Sequence, residues 1–143
     1  MKIAIASDHG GYELKEKIKR HLSSKGADVV DFGTDSGAAV DYPDYAKKVA
    51  RSVLSKKADC GILVCGSGIG MSITANRFKG IRAAVCESLY TAQMAKKHGN
   101  VNILCLGGRI LPVKKALKMV DLWLNTEFEP DARHIRRLKK IDR

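Results

Sequence analysis

The sequence predicts an α/β fold: a three-layer α/β/α sandwich built around a five-stranded parallel sheet of Rossmann-like type. Five short apolar runs alternate with segments whose apolar residues recur every three to four positions, as expected for strands separated by amphipathic helices. The runs lack the polar alternation of a half-exposed strand, which indicates burial on both faces, as in a parallel sheet. A chain of 143 residues, 45% of them hydrophobic, is long enough to bury one such core.

Turn or polar residues bound each apolar run and so define the predicted strands. In chain order, these strands are Ile3–Ala6, Val29–Phe32, Gly61–Val64, Ile81–Val85 and Ile103–Leu106. Parallel neighbours must be joined by crossover connections, which are usually helices. We therefore expect a helix after every strand.

The segments between the strands carry helical spacing and helix-end signals. ELKEKIKRHLSSKG places Leu14, Ile18 and Leu22 on one face and stops at Gly26. DYPDYAKKVARSVL repeats this spacing, ESLYTAQMAKKHG ends in cations suited to a helix C-terminus, and LPVKKALKMVDLWL opens on a proline, which a first helical turn tolerates. A final basic helix is predicted at about residues 131–142.

The chain is interpreted as a single domain, residues 1–143, because no internal repeat, linker or low-complexity stretch interrupts it. The N-terminal stretch MKIAIASDHGG has too short an apolar segment for a signal peptide, and no apolar run approaches the roughly 20 residues of a membrane helix. We therefore expect a cytoplasmic protein with no membrane partner.

The four cysteines are expected to be reduced thiols. They are Cys60, Cys65, Cys86 and Cys105, and no two form the C-x-x-C pair of a zinc knuckle or a thioredoxin-type motif. Cys60 and Cys65 are five positions apart in one predicted strand, so their side chains point to opposite faces and cannot easily form a disulfide. No metal site and no cofactor are predicted.

The chain is strongly basic, with 26 basic and 15 acidic residues and a formal charge of +11. Such a charge suits nucleic acid, an anionic small molecule, or simply a solvated basic surface. The sequence has neither zinc-finger spacing nor an aromatic-rich ribonucleoprotein motif. Nucleic-acid binding therefore rests on charge alone, and no nucleic-acid partner is expected.

Ligands of open parallel sheets bind beyond the carboxyl ends of the strands, so the loops there are the places to look for a site. These loops are residues 7–11, 33–42, 65–70, 86–88 and 107–109. The loop CGSGIG, residues 65–70, precedes a helix predicted to reach about Asn76. Its glycines and the free amides of the helix suit a phosphate or an oxyanion, and the alternative is a tight turn without a ligand. A P-loop is excluded because Gly70 is followed by Met-Ser.

Several residues in or near these loops have both a chemical and a purely structural interpretation. Cys65 ends a strand at a helix N-terminus, where a thiol can act as a base or nucleophile, or it is a small buried hydrophobe. His9 follows Asp8 directly and is either catalytic or an ordinary surface residue. His98 is a helix cap or a proton donor. Near the C-terminus, Arg133 and Arg137 share a helical face suited to a phosphate, Arg136 and Arg143 point elsewhere, and the alternative is a solvated basic terminus.

Six stretches resemble one known family, in family order and over essentially the whole chain. They are IASDHGGYELK, DYPDYA, CGSGIGMSITANR, GIRAAVC, GGRIL and ARHIRR. The family is that of the type B ribose-5-phosphate isomerases and their relatives, the allose-6-phosphate and galactose-6-phosphate isomerases. The most specific match is the Cys-Gly-Ser-Gly-x-Gly stretch followed by Ala75-Asn76.

The resemblance implies an aldose-ketose isomerase of the pentose phosphate pathway that needs no metal or cofactor. It would interconvert ribose 5-phosphate and ribulose 5-phosphate through an enediolate, with Cys65 as the base and Ser67 as a proton shuttle. Asp8 and His98 would open the sugar ring, with His134 as a second candidate. The resemblance also implies the following substrate-binding residues: His9, Tyr42, Gly66, Gly68, Ile69, Gly70, Asn100, Arg109, Arg133, Arg137 and His134.

Family members form homodimers or dimers of dimers with shared sites, so a homodimer or homotetramer is expected here. Many relatives carry asparagine directly after the histidine matched by His98, whereas here Gly99 stands there and Asn100 follows. The alternative functions are a six-carbon phosphosugar isomerase, half of a hetero-oligomeric enzyme, or a catalytically silent phosphosugar-binding protein.

Overall fold

The computed structural model describes residues 1–142, which form strands and helices in regular alternation. The strands are β1 (Lys2–Ser7), β2 (Asp28–Asp31), β3 (Cys60–Cys65), β4 (Ala83–Val85) and β5 (Ile103–Gly107). The helices are α1 (Tyr12–Ser24), α2 (Tyr42–Leu54), α3 (Ile69–Ala75), α4 (Leu89–Lys97), α5 (Val113–Asn125) and α6 (Ala132–Ile141). The residues described include no helix long and apolar enough to span a bilayer.

All five strands are parallel, in the order β2-β1-β3-β5-β4, which confirms the predicted fold class. Ile5 pairs with Ile62 across β1 and β3, and Leu63 pairs with Cys105 across β3 and β5. The chain builds outward from β1 to β2 and then returns to the other side of β1 to add β3. The loops that follow β1 and β3 therefore diverge at the same edge, which is where open α/β sheets form a crevice.

The core consists of two apolar layers, one on each face of the sheet. Ile5 and Ile62 belong to the layer covered by α1 and α5, which also buries Trp123. Ala6 and Leu63 belong to the layer covered by α2 and α3. Cys60 lies in the first layer and Cys65 in the second, so the predicted opposite orientation is confirmed, and all four thiols are free.

The two outer strands of the sheet, β2 and β4, differ from the sequence prediction in length and burial. β2 and β4 are only partly buried because each has a single neighbouring strand, whereas β3 and β5 are buried throughout. β4 begins at Ala83 rather than Ile81, because Ile81 N–H donates to the Phe78 carbonyl in a turn and Arg82 N–H donates to Asn102 Oδ1. The predicted opening residue of the fifth helix, Pro112, is its N-cap.

A charged bridge joins α1 to α5. Asp121 accepts a hydrogen bond from Lys25 Nζ at 2.8 Å, and His21 Nε2 lies 2.9 Å from both of its oxygens. Burial acts to raise the pKa of Asp121, but the hydrogen bonds from Lys25 and His21 outweigh burial and hold this pKa below its ordinary value. The bridge therefore favours the ionised carboxylate in the folded state.

Candidate active site

A cleft of about 630 Å³ opens at the carboxyl edge of the sheet, above β1, β3 and β5. Its walls come from the loops after these three strands, from the start of α2 and from the exposed side of α3. The lining residues are Asp8, Tyr42, Cys65, Gly66, Ser67, Ile69, Gly70, Ile73, Arg109 and Ile110. Eight of the predicted catalytic and binding residues line this cleft: Asp8, Tyr42, Cys65, Gly66, Ser67, Ile69, Gly70 and Arg109.

The glycine loop folds tightly over the Cys65 thiol. Gly68 adopts φ +82°, in the left-handed region that favours glycine, and a Cβ there would lie 3.1–3.2 Å from the backbone of Leu106. This turn directs Gly68 N–H at Cys65 Sγ, 3.1 Å away. The sulfur is thereby held by the amide of the residue that caps the start of α3, and Cys65 is 5% exposed.

The other cysteines lie in environments that keep them protonated. Burial raises the pKa of Cys60 to about 11, and burial also raises the pKa of Cys86 and that of Cys105 above the ordinary value for a thiol. None of these three lines the cleft. Cys65 is therefore the thiol that the fold presents to a ligand there.

Backbone hydrogen bonds join the three loops into one unit. Gly108 N–H donates to the Cys65 carbonyl at 2.8 Å, and Arg109 N–H donates to the Gly66 carbonyl at 3.0 Å. Arg109 then lays its guanidinium over the glycine loop, where a Cβ on Gly66 would be 3.1 Å from its Nη1 atom. A positive charge and a thiol therefore share one wall of the cleft.

Polar groups at the end of β1 complete this side of the site. Asp8 is buried, and its Oδ1 accepts the Gly11 N–H at 3.1 Å. His9, beside it, is half-buried, and its Nδ1 accepts the Val40 N–H at 3.2 Å. Neutral His9 therefore carries its proton on Nε2 and can donate only from that nitrogen.

The space between these groups is bordered by Tyr42 and Ser67. The Tyr42 ring packs directly against Gly70, so that no side chain separates them. Ser67 Oγ accepts the Ile69 N–H at 3.2 Å and keeps its own hydrogen free for another acceptor. Among residues 1–142, no three His, Cys, Asp or Glu side chains group in a way that could hold a metal ion.

The remaining predicted site residues form a second cluster at the opposite edge of the sheet. The rings of His98 and His134 lie 4.5 Å apart between centroids, and His134 Nδ1 lies 3.0 Å from the Glu129 carbonyl. Arg133 and Arg137 project from the exposed surface of α6. Arg143 lies outside the described residues.

The separation of the two clusters follows from the helix direction. Because α4 returns antiparallel to the strands, His98, which caps its C-terminus, lies at the amino edge of the sheet. β3 is six residues long, so roughly 16–20 Å of strand separates this edge from Cys65. Within one chain, the structure does not bring His98, Asn100, Arg133, His134 or Arg137 to the cleft.

Asn100 has a structural role at the end of α4. Its φ is +43°, its N–H donates to the Lys96 carbonyl at 3.1 Å, and Val101 N–H donates to the Ala95 carbonyl at 3.1 Å. These bonds end the helix with Asn100 in the left-handed region of backbone conformation, which asparagine adopts more readily than most residues. A Cβ at Gly99 would lie 2.9 Å from the Ala95 carbonyl oxygen. The Gly99-Asn100 departure from the family pattern is therefore a helix-terminating pair.

Lys15 is a residue that the sequence analysis missed. Its side chain is fully buried, and its Nζ donates to both Asp31 oxygens at 2.9 Å and to the Thr34 carbonyl. This anchors the start of the segment that ends at Val40, the partner of His9. The signal was present in the sequence, since Lys15 shares the apolar helix face at i, i+3 and i+7 with Ile18 and Leu22.

The fold and the cleft define the class of protein: a Rossmann-like α/β protein with a cleft, lined by a cysteine thiol, at the carboxyl edge of its sheet. Comparison with known proteins then defines the family. The ribose/galactose isomerase family model matches residues 3–141. The chain belongs to the ribose/galactose isomerase family.

Individual relatives agree with this assignment over nearly their full lengths. Ribose-5-phosphate isomerase B of Escherichia coli (strain K12) is 44% identical over 140 residues, 98% of this chain and 93% of the relative. A crystal structure of a Thermotoga maritima ribose 5-phosphate isomerase superposes with a TM-score of 0.96 at 56% identity, covering 99% of this chain and 97% of the other. The Mycoplasma genitalium ribose-5-phosphate isomerase B, solved with bound ribulose-5-phosphate, gives a TM-score of 0.93 at 44% identity, covering 99% and 93%. The chain is thus a homologue of ribose-5-phosphate isomerase B.

Proposed function

We propose that this protein interconverts ribose 5-phosphate and ribulose 5-phosphate by moving a proton between C2 and C1 through an enediolate. The observation that carries the proposal is the position of Cys65, whose sulfur lies beneath the Gly68 amide in a cleft shared with Asp8 and Arg109. The bound ribulose-5-phosphate in the Mycoplasma genitalium relative supports this choice of substrate. The reaction is an intramolecular oxidoreduction within the pentose phosphate pathway.

In this mechanism, Cys65 is the base that removes the proton from C2 and returns it to C1. Within the loop from Gly66 to Gly70, the amides of Gly68 and Ile69 already donate to Cys65 Sγ and Ser67 Oγ. The enediolate oxygen would therefore lie against the remaining N–H groups of this loop, which supply an oxyanion hole without side-chain movement. The Ser67 hydroxyl, whose hydrogen is free, moves protons between the sugar oxygens. Tyr42 borders the sugar chain on the far side of the loop.

Ring opening requires a proton donor and a proton acceptor at the anomeric end of the sugar. Asp8 lines the cleft and would serve as one of these groups, but His98 and His134 lie at the amino ends of the strands of their own chain. We propose that a second copy supplies them, so that each site combines the cleft of one subunit with α4 and α6 of its partner.

The surface around the cleft supports such an assembly. Ile69, Ile73 and Ile110 line the cleft and are 49–56% exposed in the single chain. Contiguous exposed apolar side chains at a cleft are typical of a surface that another protein covers. A homodimer, or a homotetramer built from such dimers, would cover these residues and complete two equivalent sites by twofold symmetry.

The phosphate would be held by groups from both subunits. Arg109 contributes its guanidinium from the wall of the cleft, and His9 contributes its Nε2–H from the end of β1. Arg133 and Arg137 of the partner would close over the same anion with forked hydrogen bonds. Asn100 is assigned to the partner's contribution as well, although its backbone already terminates α4.

Two experiments test this proposal. A coupled assay with ribose 5-phosphate should show turnover, and its absence would refute the isomerase function. Subunit mixing tests the shared site, since Cys65→Ala and Arg137→Ala each damage a different half of it. When equal amounts of the two variants exchange subunits, half of the dimers contain one subunit of each kind. One of the two sites in each mixed dimer is undamaged, so about a quarter of all sites should be intact. Without any recovery on mixing, both halves belong to one chain and the shared-site proposal is wrong.

A six-carbon phosphosugar isomerase is the second candidate, because the matching family covers galactose as well as ribose isomerases. Side-by-side kcat/KM values for ribose 5-phosphate, allose 6-phosphate and galactose 6-phosphate separate the two. A catalytically silent phosphosugar-binding protein would bind these compounds without converting any of them.

A further inference from the structure

Arg82 connects three separate segments at the amino edge of the sheet. It directly precedes β4, and its side chain is 18% exposed. Its Nε donates to the carbonyls of Gly99 and Asn100, each at 3.2 Å. Its Nη1 donates to both oxygens of Asp142, at 3.1 and 2.9 Å. One guanidinium therefore joins the start of β4, the bend after His98 and the end of α6.

Helix α6 has few other attachments to its own chain. Of its ten residues, His134 and Leu138 are the buried ones. Before the helix, Glu129 N–H donates to the Lys97 carbonyl at 2.9 Å, and the His134 ring packs at a tilt against that of His98. These contacts hold the first half of the helix, whereas the Arg82–Asp142 ion pair holds its last turn.

We propose that Arg82 is a positioning residue, which fixes α6 relative to the bend carrying His98 so that both reach the partner's cleft in one geometry. This inference rests on the proposed function. The groups it positions are His98 and His134 for ring opening, and Arg133 and Arg137 for the phosphate. Arg82 itself touches none of the reacting atoms.

The chemistry of the side chain explains why arginine is needed there. A planar fork can donate to two adjacent carbonyls and a carboxylate at once, whereas a lysine ammonium at the end of a flexible stem cannot span all three. The Gly99 and Asn100 carbonyls lie just beyond the end of α4 and so take no part in its helical hydrogen bonds. Arg82 satisfies them and ties them to α6.

Three variants and one control test the proposal. Arg82→Met removes every polar contact while keeping the length of the apolar stem, and Arg82→Lys keeps the charge alone. Asp142→Asn weakens the link from the other side. Arg77→Met is the matched control, because Arg77 is exposed nearby and its side chain forms no hydrogen bond or ion pair among residues 1–142.

Steady-state kinetics with ribose 5-phosphate give the first readout. KM should rise about 10- to 100-fold in Arg82→Met, the range expected when hydrogen bonds to a charged group are lost, and kcat should fall by less. Arg82→Lys should recover part of the affinity. A KM at the wild-type level in a folded Arg82→Met protein would overturn the proposal.

Hydrogen exchange of the amides in residues 132–141 gives a readout that needs no turnover. Asp142→Asn should accelerate exchange there and leave β3 and β5 unchanged. Helix electrostatics alone predicts the opposite, because removing an anion from a helix C-terminus is favourable to the helix. Unchanged or slower exchange in α6 would therefore refute the role of Arg82, even if Arg82→Met did not fold. Inactive wild-type protein would instead refute the proposed function, and the exchange result would still decide how α6 is held.

Discussion

Replacing Cys65 by alanine separates a catalytic thiol from a structural one. The substitution deletes the sulfur of a residue that is 5% exposed, and this sulfur accepts one backbone hydrogen bond. Loss of a general base costs about 10²–10⁴-fold in rate, which corresponds to about 2.7–5.4 kcal/mol of barrier. The packing cost of the deleted atom is smaller, on the order of 1 kcal/mol. We therefore expect kcat to fall by this factor while the protein remains folded.

Cys105→Ala is the matched control, because Cys105 is buried in the same apolar layer and lies outside the cleft. It should lose a similar amount of stability and keep its activity per folded molecule. Cys65→Ser should be as inactive as Cys65→Ala, since a hydroxyl can still accept the Gly68 amide but ionises far less readily than a thiol and so supplies almost no anionic base. The measurements are kcat and KM in a coupled ribose 5-phosphate assay, together with thermal unfolding. Near-normal turnover in Cys65→Ala would refute the assignment of the base.

Four further predictions follow from the site and its surroundings. His9→Gln should keep more affinity for inorganic phosphate than His9→Asn, because only the longer side chain of glutamine places an N–H donor where His9 Nε2 lies. The reverse order of affinities would contradict the tautomer set by the Val40 amide. Arg137→Ala should lower kcat/KM by a factor that corresponds to roughly 2–5 kcal/mol of lost transition-state stabilisation if a partner subunit buries the guanidinium. An equal loss of kcat/KM in Arg136→Ala would indicate general charge attraction instead. As pH falls from about 5 through the depressed folded-state pKa of Asp121, the unfolding free energy should fall more steeply in wild type than in Asp121→Asn. The reason is that the Asp121 carboxylate takes up its proton at a higher pH in the unfolded state than in the folded state. A constant difference in unfolding free energy between the two proteins across this pH range would be inconsistent with the bridge. Activity should survive dialysis against a chelator, since a thiol base and backbone amides need no metal, and loss with recovery on adding a divalent ion would rule the mechanism out.

The element order and the thiol loop could be predicted from the sequence because both are encoded locally. Apolar runs and helical spacing show the strands and helices, and parallel strands place their carboxyl-end loops at one edge. Cys65 and its glycines are contiguous, so their proximity needs no tertiary information. The resemblance to a known family then predicted roles for residues that spacing alone left open.

The location of the second cluster could be decided only by the tertiary structure. His98 and His134 are far apart in the sequence, yet their rings lie 4.5 Å apart between centroids, because α4 carries His98 to the amino edge of the sheet and α6 places His134 beside it. The bond between Arg82 and Asp142 likewise joins residues 60 positions apart. Such contacts depend on how the helices pack on the sheet, and a periodic pattern records which face of a helix is buried but not which neighbour covers it. The backbone role of Asn100 at the end of α4 is likewise visible only in the structure, and its assignment as a substrate-binding residue stays a prediction.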